Sequence, residues 1–333
     1  MPQSLPITAR VQPQSGQSAT PAGAIDTASL MRIQNLQLRA KVVVEGFLSG
    51  MHKSPYHGFS VEFTEYRQYS PGDDLRYLDW RLYARSDRYY LKRFEDETNL
   101  RCWLLVDLSR SMGFRSLEYD KATYARTAAA TIAHFLSLQR DAVGLVTFDQ
   151  TIREFLPARF RPGHLRRLMM CLEHSPGGAA TDLVTPLEQI VRTARKRGLV
   201  VLLSDLLAPV EALQTRLGWL RSRGHEIVIL RVLDPAEIDF RFRDESLFFD
   251  LESGRELYVD PQAARASYLE KFQAHQQALA EACRDLGIDL YQLNTAEPLD
   301  QALFNLLHAR QRRTRQAPRR RAARPGSSGR GAP

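Results

Sequence analysis

The chain has 333 residues, 44% hydrophobic and 25% charged, an ordinary globular composition that excludes full disorder, collagen and a multispan membrane protein. Three cysteines (Cys102, Cys171, Cys283) stand far apart with no CxxC or Cys/His spacing, which excludes a disulfide framework or zinc finger and favours a reducing compartment. The formal charge is +8, but nine arginines and no acid lie between Arg310 and the C terminus, so the body is near neutral and offers no globally basic surface for nucleic acid.

Residues 1–27 are rich in Pro, Gln, Ser, Thr and Ala and are expected to be disordered, because they carry too little apolar surface to offset ordering. No charged start followed by an apolar run marks a signal peptide. Residues 28–98 are dense in aromatic and charged residues with Gly and Pro at turns, which predicts a β-rich module. From 99 to 309 strand and helix patterns alternate. The apolar run Cys102 to Val106 reads as a buried strand. Ala122, Ala125, Ala129, Ile132, Ala133 and Leu136 recur at helical spacing between Lys121 and Arg140.

Strands follow at Ala142 to Phe148 and Ile152 to Leu156, then a helix from His164 to His174. Thr185-Pro186-Leu187-Glu188 has the pattern of a capping box and predicts a helix start. Next come a strand at Leu199 to Ser204, a helix from about Pro209 to Arg223 and a strand at Ile227 to Val232. Leu247 to Leu251 and Glu256 to Val259 suggest a hairpin. A long helix is expected from Pro261 to Leu286, then a strand at Ile288 to Leu290 and a helix from Leu299. This alternation predicts an α/β domain with a doubly wound, mainly parallel sheet. The most apolar stretch, Leu199 to Val210, contains Asp205 and falls short of the roughly 20 residues that span a bilayer. A cytoplasmic protein is expected. The 310–333 tail reads as a solvated, disordered extension, with an electrostatic arm for nucleic acid, anionic lipid or an acidic partner as the alternative.

The chemistry gathers at strand ends. The first clear strand runs into Val106-Asp107-Leu108-Ser109-Arg110-Ser111, so one carboxylate and two hydroxyls alternate on a loop at its carboxyl end. Thr181 lies in Gly177-Gly178-Ala179-Ala180-Thr181-Asp182, and Asp205 ends the strand Val200 to Ser204. The carboxyl edge of an open α/β sheet is where ligands bind. Asp107, Ser109, Ser111, Thr181 and Asp205 are all oxygen donors, which suit a hard divalent cation such as Mg²⁺ or Mn²⁺. Taken singly, each of these residues could satisfy a turn or a cap. Asp182 is expected to brace its loop and Arg110 to be exposed.

Asp-x-Ser-x-Ser with a later Thr and Asp resembles the metal-ion-dependent adhesion site of von Willebrand factor A domains. Ser70-Pro71-Gly72-Asp73-Asp74-Leu75-Arg76-Tyr77-Leu78-Asp79-Trp80, with Gly58 to Phe63 before it and Lys92-Arg93-Phe94-Glu95 after it, resembles the DUF58 family. The resemblance implies a von Willebrand factor A-like fold and a binding module, not a catalyst. It implies a metal set of Asp107, Ser109, Ser111, Thr181 and Asp205, an ion that accepts an Asp or Glu from a client protein, and partnership with a MoxR-type AAA+ ATPase.

Rival readings are a metal-dependent hydrolase at the same site, nucleic-acid binding by the arginine tail, and an inert loop. The Asp73–Asp79 block reads as a structural ion-pair network. No Walker A motif, GxGxxG loop or Gly-x-Ser-x-Gly elbow is present.

Overall fold

The computed structural model describes residues 26–53, 65–68, 83, 85, 89–93, 100–177, 182–194, 196–240, 242, 246–249 and 256–303. Its centre is β3 (Arg101–Asp107), whose residues after Arg101 are all buried. A strand covered on both faces must be apolar throughout. Cys102, Leu104 and Val106 therefore pack on one side, and Trp103 and Leu105 on the other.

Six strands form the sheet in the order β10 (Asp289–Asn294), β7 (Glu226–Leu233), β6 (Leu199–Ser204), β3, β4 (Ala142–Phe148), β5 (Ile152–Arg159). All neighbours are parallel except β5 on β4. The chain thus leaves β3 toward β4 and β5, then returns to insert β6 on the other side of β3. The order reverses between β3 and β6, which makes that crevice the topological switch point. This is the doubly wound, mainly parallel, von Willebrand factor A-like architecture.

One face carries α1 (Thr27–Met31), α2 (Leu36–Lys53), α3 (Lys121–Leu138) and α4 (His164–Leu172). The other carries α5 (Val184–Thr193), α6 (Val210–Ser222) and α8 (Pro261–Asp285). The short α7 (Pro235–Asp239) follows β7. Among the described residues, two antiparallel pairs lie outside this sheet: β1 (Glu65–Gln68) with β2 (Tyr90–Arg93), and β8 (Ser246–Phe249) with β9 (Glu256–Val259). Residues 299–303 begin a further helix.

The β-rich reading of residues 28–98 needs correction at its start. Residues 36–53 are helical, and Leu36, Ala40 and Val43 join the core beneath α3. Arg39 fastens the contact by donating to Ile33 O at 2.6 Å and Thr127 Oγ1 at 2.9 Å. The Asp73–Asp79 block and residues 1–25 and 304–333 lie outside the described residues. The predicted capping box at Thr185 does not form. Helix α5 starts at Val184, and Asp182 caps it instead, accepting from Val184 N at 2.8 Å and Thr185 Oγ1 at 2.5 Å. All three cysteines are buried and none is in a disulfide.

Gly198 lies where β6 begins beside β3. A Cβ there would fall well inside the van der Waals shell of Arg101 O, a backbone atom that cannot swing aside. Gly198→Ala is expected to destabilise the domain by about 2 kcal/mol, the scale of overpacking strain. A lowered urea midpoint at unchanged slope would show it; an unchanged midpoint would mean the strands separate freely there.

Candidate functional site

Asp107 is the last residue of β3 and is fully buried. The chain then turns away from the sheet. Ser109 N donates back to Asp107 Oδ1 at 2.9 Å, and a single 3₁₀ turn covers Arg110–Gly113. That turn brings Ser111 round to Ser109, with their hydroxyl oxygens 3.1 Å apart. Both serines are buried, whereas Arg110 faces outward.

Across the switch point, Ser204 ends β6 and donates from Oγ to Asp107 Oδ2 at 2.6 Å. Leu206 follows with φ +52°, a left-handed conformation that is costly for a residue with a branched side chain. Ser204 Oγ stabilises that turn by accepting from Leu206 N at 3.1 Å. The bend leaves Asp205 buried at the same crevice, where a side-chain hydrogen bond from Ser111 reaches its carboxylate.

Asp107, Ser109, Ser111 and Asp205 therefore meet at this crevice. Thr181 lies outside the described residues. On either side of its loop, Gly177 N donates to Leu108 O at 2.9 Å and Asp182 N to Asp149 O at 2.8 Å, both on this sheet edge. Asp182 acts as a brace, as expected.

Four further residues complete the site. Ser204 is one. Lys121, at the first position of α3, has a wholly buried side chain and sends Nζ to Asp205 Oδ2 at 2.9 Å and Glu237 Oε1 at 2.5 Å. Glu237 sits in α7, where its other oxygen accepts from Asp234 N at 2.9 Å in a capping box. Arg231 on β7 is buried, donates from Nε to Asp205 O at 3.0 Å and lies over the Phe272 ring. No sequence signal distinguished Lys121 from a solvated helix lysine. The Ser-Asp pair at the end of β6 was the one available hint for Ser204.

The charges do not balance. Two buried cations, Lys121 and Arg231, face two buried carboxylates, Asp205 and Glu237. Asp107 is the carboxylate left over, held by neutral donors, among them the Ser109 N–H and the Ser204 hydroxyl. Burial, then the Asp205 charge, pushes the Asp107 carboxyl up to about 7. Burial would also raise Asp205, but Lys121, with Ser111 and Leu207 N, outweighs it and holds Asp205 below the usual carboxylate range. Glu237 is raised by burial, which Lys121 only partly offsets.

The donors fit a magnesium ion. Mg²⁺ demands octahedral oxygens at about 2.0–2.1 Å, which places adjacent donors about 3 Å apart. The two serine oxygens already have that spacing, at 3.1 Å. The uncompensated Asp107 charge is what a cation would neutralise. Among the described residues no three His, Cys, Asp or Glu side chains gather to hold a metal.

The sequence matches the family described as "Protein of unknown function DUF58" over residues 65–278. Uncharacterised proteins of Mycobacterium tuberculosis and Mycobacterium bovis are each 30% identical over 284 residues, covering 82% of this chain and 87% of theirs. Among solved structures, the chain resembles the conserved hypothetical protein BatB of Bacteroides thetaiotaomicron (15% identity, TM-score 0.44, covering 64% of this chain and 99% of that one). It also resembles an aerotolerance-related membrane protein of Bacteroides fragilis (13% identity, TM-score 0.42, covering 63% and 99%). Among the described residues no helix is long and apolar enough to cross a membrane.

Proposed function

Since the chain belongs to the DUF58 family, we propose that it is a metal-dependent protein-binding adaptor, working in the cytoplasm with a MoxR-type AAA+ ATPase and a client that offers an Asp or Glu. The convergence of Asp107, Ser109, Ser111 and Asp205 at the switch point carries this reading. The ATPase partnership rests on the resemblance of the Pro71-to-Trp80 block.

When bound, Mg²⁺ would supply an electrophilic centre for a partner's carboxylate. Ser109 and Ser111 would hold it through neutral oxygens, together with Thr181. Neutral donors quench less of the ion's charge than a carboxylate cage would, and coordination is completed by hard oxygen ligands. Asp107 and Asp205 would lend charge from beneath, and Ser204 keeps Asp107 aimed at the crevice. Energy for remodelling a client would come from the ATPase.

The test is calorimetric titration of Mg²⁺ into EDTA-stripped wild-type and Asp107→Ala protein, with capture of the ATPase in Mg²⁺ and in EDTA. One saturable site in wild type, lost in the variant, and capture lost in both EDTA and the variant are expected. Capture that persists unchanged in Asp107→Ala with EDTA would overturn the metal-gated mechanism.

A further inference from the structure

The metal reading leaves Lys121 unexplained. A lysine with no exposed side-chain surface is exceptional, and this one sits against a carboxylate that the reading assigns to the metal. Its ammonium takes Asp205 Oδ2 at 2.9 Å, while Leu207 N lies 3.5 Å from the other oxygen of Asp205. Asp107 has no cation partner among the described residues and accepts from the neutral Ser109 N and Ser204 Oγ instead. The two carboxylates at the crevice are therefore unequal. One has its charge matched by an internal cation, and the other does not.

We infer that Lys121 is the positioning residue that sets the affinity of the site: by pairing with Asp205 it withholds that carboxylate from direct coordination and leaves the ion to hydroxyls and Asp107. This rests on the metal reading and adds its regulation. Glu237 is the second half of the device. It accepts from the same ammonium at 2.5 Å and so shares Lys121 between two carboxylates. Removing Glu237 commits Lys121 wholly to Asp205, and removing both releases Asp205. Ligand charge count is what tunes the affinity of oxygen sites, so the two changes must act in opposite directions.

The geometry permits a charge-neutral test. Lys121→Met with Glu237→Gln deletes one cation and one anion, so the buried charge total is unchanged. The glutamine side chain introduced by Glu237→Gln can still accept from Asp234 N and keep the cap of α7. Glu237→Gln alone changes no residue of the metal set.

Mg²⁺ is titrated calorimetrically into EDTA-stripped full-length wild type, Glu237→Gln and Lys121→Met/Glu237→Gln, with cooperative thermal melting of each confirmed. The double variant is expected to bind at least tenfold tighter than wild type, and Glu237→Gln at least threefold weaker. A structural role alone would not tighten binding. Equal or weaker affinity in a cooperatively melting double variant would overturn the inference, as would unchanged affinity in Glu237→Gln should the double variant not fold. Wild-type binding with unresponsive variants would sink this inference and leave the metal reading standing. Binding by the double variant alone would support both, with Lys121 closing the wild-type site. No binding by any of the three would remove both.

Discussion

Replacing Lys121 with methionine alone is expected to cost the fold about 3–5 kcal/mol, the scale on which breaking one side of a buried ion pair is felt. The side chains of Lys121, Asp205 and Glu237 are 0%, 2% and 9% exposed. Water cannot rescue the two carboxylates that the change strands. Urea unfolding in EDTA measures the loss. Lys41→Met is the control, because Lys41 meets Glu45 at 3.6 Å with 59% of its side chain exposed; it should change stability by less than about 0.5 kcal/mol. Adding Glu237→Gln to Lys121→Met should restore part of the loss, since one stranded charge is then gone. A Lys121→Met protein as stable as wild type would mean that the carboxylates find other partners and that the buried network is not as described.

The second large effect has the opposite sign. Asp107→Asn should stabilise the metal-free domain by about 2 kcal/mol at pH 8 while abolishing its Mg²⁺ binding. The folded carboxyl is pushed up to about 7 from 3.8. Between those values the unfolded chain has released the proton and the folded chain still holds it. Stability therefore falls as pH rises through that window, and the loss is complete above about pH 7. Asparagine removes this penalty but gives Ser204 a weaker acceptor, so only part of it is recovered. The gain should shrink toward zero near pH 4. Unfolding free energies of both proteins across pH 4 to 8 in EDTA would show the converging curves. Parallel curves would mean that Asp107 is not strained by its surroundings. A residue that costs stability in the empty site and is needed in the full one is the signature expected of function.

The sheet was legible because each strand declares itself locally. Cys102 to Val106 and Leu199 to Ser204 are unbroken apolar runs, and a strand buried on both faces has no other way to be written. The candidate site was legible for a related reason: strand ends mark the edge of the sheet where ligands bind, so Asp107 and Asp205 could be placed at one crevice before any contact was known. Helix α2 was hidden because Val42-Val43-Val44 and its glycines lower helix propensity. Its docking on α3 through Ala40 and Val43 overrides that local preference. Lys121 was hidden because its meaning is entirely long-range. Asp205 and Glu237 are 84 and 116 residues away along the chain, and no periodicity of α3 records them. The Thr185 capping box misled because Asp182 supplies a stronger acceptor one turn earlier.

The late insertion of β6 beside β3 has a consequence during synthesis. Ser204 meets Asp107 across 97 residues, so at about 5–20 residues per second the ribosome needs on the order of 5–20 s to supply the second half of the crevice. Until then Lys121 has no counter-ion to be buried with, and the hydroxyls of Ser109 and Ser111 lack the carboxylate opposite them. An ion at the proposed site would thus not nucleate this domain. It would only report, by being held, that the strand on the far side of the central one has arrived in register.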